Sequence, residues 1–233
     1  MIKKHYKKTL DWIEQKRFTL LLLSTILTIV LPAFSGSGLL SQIIFVTSLS
    51  FLFIQSMVVA DVKKSFKRPL RIIVVSMIMV SWLKPIGFDF LYVEVFKFTF
   101  LVTFFIFVMT YLIRFISKSS SVDINVLITS VNIYFLAGII GASLATVFYR
   151  LYPDAYNFPA YIEHPVFVHF LYYSFITMST VGYGDITPRI PETQTLAYFL
   201  SIAGQLYVAI IIAFLIGKFL MQGQQKKDDQ KNS

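Results

Sequence analysis

Apolar runs separated by short basic clusters constrain this chain more than any other feature. Residues 18–34, 39–60, 70–83, 91–116, 123–148 and 193–221 are almost free of charge, while lysine and arginine gather between them. At ~1.5 Å of rise per residue, about 20 apolar residues cross a ~30 Å hydrocarbon core as a helix. Charged residues are 14% of the chain and hydrophobic residues 56%, whereas soluble domains carry roughly 25% charged residues. The chain therefore reads as an all-α integral membrane protein with six transmembrane helices. The +9 net charge fits the placement of topology signals rather than a nucleic-acid surface, and nucleic acid is not an expected partner.

The basic residues set the expected orientation. The segment 1–17, with Lys3, Lys4, Lys7, Lys8, Lys16 and Arg17, the loop 63–71, the pair Arg114/Lys118, and the tail with Lys226, Lys227 and Lys231 fall on one side. Lys84, Lys97, Arg150 and Arg189 fall on the other. By the positive-inside rule both termini are cytoplasmic, in a multi-pass protein of the cell membrane. Residues 1–17 read as a basic interfacial helix or a solvated tail. The basic start, the apolar run and Ser35–Gly38 also have the layout of a cleaved signal peptide, but Asp11 and Glu14 argue against cleavage. Ser120 and Asp123 read as a capping box for the fifth span. The tail 222–233 is polar and expected to be disordered.

Between the fifth and sixth spans lies a section too short to cross. Residues 149–164 are polar, aromatic and proline-punctuated, as suits a water-facing turret. Pro165 fits the first turn of a helix, 165–178, that is too short to span. Then comes Thr180-Val181-Gly182-Tyr183-Gly184-Asp185. Glycine tolerates positive φ, so the backbone there can alternate its dihedral sign, turning successive carbonyls to one side and Val181 and Tyr183 to the other. Copies of such a strand around an axis make a tube of oxygens able to replace a cation's water shell. With one such strand per chain and no internal repeat, the working unit is expected to be a homotetramer.

This hexapeptide, set between a short helix and a long one, resembles the signature of tetrameric potassium channels, and residues 149–220 resemble their pore module. The resemblance implies a re-entrant pore helix and selectivity-filter loop, with K⁺ held by Thr180, Val181, Gly182 and Tyr183 and the strand closed by Gly184. It implies K⁺ as the permeant ion and no cofactor. Asp185, Tyr172, Tyr173, Ile176 and Thr177 stand at filter-supporting positions. Tyr172 and Tyr173 read either as an aromatic cuff, one of them bonding near Tyr183 or Asp185, or as interfacial anchors. Ile176 replaces the buried glutamate of some relatives, so Asp185 needs other partners. Gly204 reads either as a hinge or as a close helix contact. Val208, Ile212 and Ile216 follow it at intervals of four on one face, extended by Leu220. That face is expected to line the cavity and gate. Gln205 faces the cavity or a neighbouring helix. His164 and His169 read as external pH sensors or as hydrogen-bonded interfacial residues.

The layout divides into the segment 1–17, a sensor-like four-helix domain over 18–118, a pore domain over 119–221 and the tail. A voltage sensor needs stacked charges, since one charge crossing 100 mV yields only ~2.3 kcal/mol. The fourth span has only Glu94 and Lys97 near one end, expected to pair and snorkel, and Arg114 at the other. Voltage dependence is expected to be weak or nil. The short tail leaves no cytoplasmic regulatory domain, and the short 117–122 connection favours the bundle packing on its own subunit's pore. A weakly selective cation channel and a membrane sensor with secondary ion flux are the alternatives. The spans carry no paired carboxylates, metal-ligand spacing or activated nucleophile, so an enzyme is not expected.

Overall fold

A computed structural model describes residues 2–34, 38–60, 64–88, 90–119, 121–162 and 166–231. Side chains are described over 16–34, 38–60, 66–88, 90–119, 121–162 and 166–221. Among the described residues seven α-helices run in order: α1 Ile2–Val30, α2 Leu39–Val59, α3 Lys64–Trp82, α4 Leu91–Lys118, α5 Ile124–Leu151, α6 Phe167–Met178 and α7 Pro191–Lys231. The fold is all-α apart from a two-residue antiparallel ladder, β1 (Tyr156–Asn157) with β2 (Thr187–Pro188).

Among the described residues, five helical stretches are long and apolar enough to cross a membrane: Lys16–Phe34, Leu39–Val59, Leu91–Lys118, Ile124–Leu151 and Pro191–Met221. The chain is a membrane protein. The third apolar run is not in that set, because its helix begins among Lys64, Lys67, Arg68 and Arg71. Three other boundaries differ from the sequence reading. The basic N-terminal segment is not a separate helix but continues into the first span as α1. Asp123 is itself the cap of α5, its Oδ1 accepting from the Val126 N–H at 2.9 Å, which satisfies an orphan donor of the first turn. Ser120 and Pro165 lie outside the described residues. The last helix runs on to Lys231, so 222–231 are helical.

Phenylalanines account for much of the packing of α4. Phe53 of α2 stacks on Phe105 and meets Phe104 edge-on. Phe18 of α1 packs on Phe115, and Phe98 stacks on Phe167 at the start of α6. Helix α5 lies at the centre, packed on α1, α4, α6 and α7 of the same chain. Polar bonds pin these contacts: Asn132 donates to the Phe18 carbonyl at 3.0 Å, Ser174 to that of Gly138 at 2.8 Å, and Tyr207 to that of Ser130 at 2.6 Å. Each such bond between membrane helices is worth ~0.6 kcal/mol.

At one end of the bundle, Glu94 is buried within reach of three cations. Lys84 Nζ is 2.6 Å and Lys97 Nζ 3.8 Å from Oε1, and Arg150 Nε is 2.5 Å from Oε2. The expected Glu94–Lys97 pair is therefore the longest of three. Neither residue snorkels outward: Glu94 is 4% and Lys97 5% exposed. Arg150 joins α5 to the cluster, holding the turret end of that helix to α4.

Candidate functional site

The site is built at the end of α6. Its first turn is closed by His169, whose ring Nδ1 accepts from the Val166 N–H at 3.1 Å while the His169 backbone N–H donates to the Val166 carbonyl at 2.9 Å. Burial lowers the His169 pKa, consistent with a neutral ring serving as acceptor. His164 lies outside the described residues. The apolar side of α6 packs under α5, where Gly138 admits the Phe175 ring and Gly141 admits Ser174. A Cβ at either glycine would overlap those side chains.

Beyond Met178 the backbone leaves helical geometry. Positive φ occurs at Thr180 (61°), Gly182 (50°) and Gly184 (79°), and not at Val181 or Tyr183 between them. For a β-branched threonine this value is strained. The sign alternation expected from Gly182 and Gly184 is present and extends one step further back, to Thr180. The loop is held from below. The Thr180 N–H bonds the Thr177 carbonyl and the Gly182 N–H the Ile176 carbonyl, both at 3.0 Å. Thr180, Val181, Gly182, Tyr183 and Gly184 are all exposed on the single chain.

Asp185 is fixed by Tyr172, whose hydroxyl donates to Oδ2 at 2.7 Å, and by its own neighbour, the Ile186 N–H, at 3.0 Å to Oδ1. The two tyrosines thus divide: Tyr172 meets Asp185, and Tyr173 is buried. The Tyr173 ring packs edge-on against Tyr156, which also contacts Phe158 and Phe170. The turret is consequently less water-facing than its composition suggests. Tyr156 is 4% exposed, and burial pushes its phenol pKa up. The loop after Asp185 is anchored to that turret through the β1–β2 ladder, through Arg189 N–H to the Ala155 carbonyl (2.9 Å), and through the Thr193 hydroxyl to the same oxygen (3.0 Å). Two-residue strands carry too little pattern for sequence to reveal them.

Helix α7 closes the other side. Gly204 sits against the Met178 carbonyl so tightly that any Cβ would overlap that oxygen, which makes it a close-contact glycine in this conformation. Ser201 donates to the Thr177 carbonyl at 2.9 Å, and Gln205 Nε2 lies 3.3 Å from the Thr180 hydroxyl. Val208, Ile212, Ile216 and Leu220 follow, all exposed. Sequence reading missed Ser201, and it missed Lys218, whose ammonium bonds the carbonyls of Ile116 (3.0 Å) and Ser119 at the end of α4. Serine and lysine on an apolar helix give no signal of a partner about 20 or 100 residues away.

A short helix thus leads into a sign-alternating loop and is backed by two long helices. Residues 126–222 match the family model described as "Ion channel". This stretch takes in nearly all of α5, α6, the 179–185 loop and most of α7, so the part of the chain similar to an ion-channel domain is the part that holds the site. The chain is also 36% identical over 74 residues to "Two-pore potassium channel 2" of Arabidopsis thaliana, a match covering 32% of this chain and 16% of that protein. The likeness is thus to the potassium channel family. No solved structure matches.

Proposed function

We propose that the protein is a potassium-selective channel, passing K⁺ passively through a pore formed by four copies. Thr180, Val181, Gly182 and Tyr183 supply the stacked carbonyl sites, Thr180 adds its hydroxyl, and Gly184 closes the strand. The observation that carries this reading is the alternation of positive φ at residues 180, 182 and 184. Alternation at that spacing turns consecutive carbonyls to one side, where four strands replace the ion's hydration shell and single-file ions repel one another onward. The pore helix is α6, re-entrant from the outer face, with its C-terminal partial negative charge directed at the cavity beneath. Asp185, Tyr172, Tyr173, Ile176 and Thr177 support the strand.

Assembly into a tetramer is supported by α7. Only 11% of its apolar window is buried in the single chain, against 56% for α5. An apolar helix bare on this scale has surface open to partner helices as well as to lipid. With α3 counted as a sixth span both termini fall on one side, and the lysines and arginines gathered there favour the cytoplasm of a cell-membrane protein. Val208, Ile212, Ile216 and Leu220 line the cavity, where the last two form an apolar constriction able to gate by dewetting. Gly204, seated against Met178, sets where α7 leaves the filter.

Voltage dependence is weak. Lys97 is held in the Glu94 cluster, and Arg114 and Lys118 lie at the far end of α4, so no charge ladder is available to cross the field. Potassium flux from vesicles loaded with K⁺ tests the function. With a protonophore present to carry the compensating charge, K⁺ efflux into a medium of impermeant cation is expected, and Na⁺-loaded vesicles are expected to show none. No flux, or equal flux of the two ions, sinks the reading and favours the weakly selective alternative in the second case.

A further inference from the structure

Helices α3 and α4 meet at few points, unlike α4 and α5. The gap is a groove of about 1150 Å³ whose walls belong to these two helices alone, apart from Ser119 just beyond α4. Phe66 and Ile73 line one wall, with Phe100 and Phe107 on the other. Thr103 and Thr110 also face it, but each hydroxyl is spent on the carbonyl four residues back, which leaves the wall apolar. At one end stand Arg114 and Lys118, four residues apart and hence on one helix face, both exposed. No described carboxylate pairs with either. From Phe100 to Arg114 the wall extends ~21 Å, enough for one leaflet's ~15 Å of hydrocarbon plus part of the headgroup layer.

We propose that this groove binds one anionic phospholipid, its acyl chain against the phenylalanines and its phosphate between Arg114 and Lys118, and that occupancy is sensed by α7. An apolar slot one leaflet deep with two cations at its mouth is complementary to a lipid with a negative headgroup. The bare apolar helix available for assembly is α7, which leaves this groove to lipid. The route to α7 is Lys218. It holds the carbonyls of Ile116 and Ser119, which flank Lys118, and lies between Ile216 and Leu220. A phosphate drawn onto Lys118 therefore acts on the same helix end that restrains the inner part of α7.

Native mass spectrometry of the detergent-purified protein, titrated with phosphatidylglycerol and with phosphatidylcholine of the same chains, tests the binding. Phosphatidylglycerol is expected to bind more tightly. Arg114→Ala with Lys118→Ala should weaken it about thirtyfold, at about fivefold per basic residue, and leave phosphatidylcholine unchanged. Each single glutamine substitution, which keeps the side-chain bulk, should give the fivefold step and covers the case of a double variant that does not fold. Equal binding of the two lipids, or a preference that survives these substitutions, overturns the proposal. So does binding abolished only on tetramer assembly, which would assign the groove to a second copy. The coupling rests on the channel reading, whereas the binding does not. In vesicles with and without phosphatidylglycerol, K⁺ flux should depend on that lipid in the native protein and not in Lys218→Met, whose lipid binding is retained. Flux insensitive to the lipid overturns the coupling alone.

Discussion

Tyr172 and Asp185, thirteen residues apart, are joined by a hydroxyl-to-carboxylate hydrogen bond of 2.7 Å that ties the middle of α6 to the far end of the 180–185 strand. The bond takes the place left open by Ile176, which offers no carboxyl group to Asp185. Tyr172→Phe removes it while keeping the ring. Single-channel recording should then give a mean open time several-fold shorter with K⁺ preference retained. An unchanged open time would mean that Asp185 is held by other contacts.

Gly204 and Gly217 occupy the same helix but opposite situations. A Cβ at 204 overlaps the Met178 carbonyl, and at 217 it meets nothing within 4 Å. Gly204→Ala should destabilise by about 1–3 kcal/mol, the usual effect of overpacking, while Gly217→Ala should be neutral or slightly stabilising through helix propensity. Size-exclusion thermal melts of the two variants compare them directly. Equal melting temperatures would show that α7 relaxes freely away from α6.

Among the described residues Glu94 is a shared counter-charge for Lys84, Lys97 and Arg150. Glu94→Gln leaves three cations gathered without it. Breaking a buried pair costs ~3–5 kcal/mol, and the lower end applies here because the Lys84 and Arg150 side chains are 24% and 29% exposed. The melting temperature should fall accordingly, whereas the voltage dependence of the current should stay weak. A steep voltage dependence in the variant would contradict the assignment of this cluster as a fixed structural one.

His169 gives a pH dependence of defined sign. Its folded-state pKa is lowered by burial, so the unfolded chain binds the proton more readily. Stability from the neutral ring is full above the unfolded value of about 6.5 and is lost as pH falls through the lower folded value. Glu94, Lys97 and Arg150 line the same 340 Å³ cavity as His169. The thermal midpoint should hold steady between pH 8 and 7 and decline below, and His169→Gln should flatten that decline. A decline of the same size in the variant would place the titration elsewhere.

How far the sequence discloses this molecule depends on the range of the signal. Gly182 and Gly184 declare the backbone sign locally, and the structure has positive φ at both. The apolar runs declare helices, and the resemblance to a pore module points to Tyr172 or Tyr173 bonding near Tyr183 or Asp185, of which the structure has Tyr172 with Asp185. Contacts between distant segments carry no such mark. Glu94 and Arg150 are 56 positions apart, Lys218 reaches back about 100 residues to α4, and Ser201 looks like any small residue in a membrane helix. Composition also misleads at Tyr156, which belongs to a polar turret yet is buried by Phe158, Phe170 and Tyr173. The start of α5 differs for a reason of chemistry: Asp123 stands at the cap itself, its carboxylate accepting from the Val126 N–H, rather than three residues inside the helix.

The central claim is that the alternating strand at Thr180–Gly184 selects potassium. The most direct measurement is the reversal potential of purified protein in planar bilayers, with K⁺ on one side and Na⁺ on the other. The account predicts a potential that follows the K⁺ gradient and is insensitive to Na⁺, little changed in slope across the voltage range, and abolished as a selective signal by Gly182→Ala. A reversal potential near zero under these conditions, or selectivity untouched in Gly182→Ala, would contradict it.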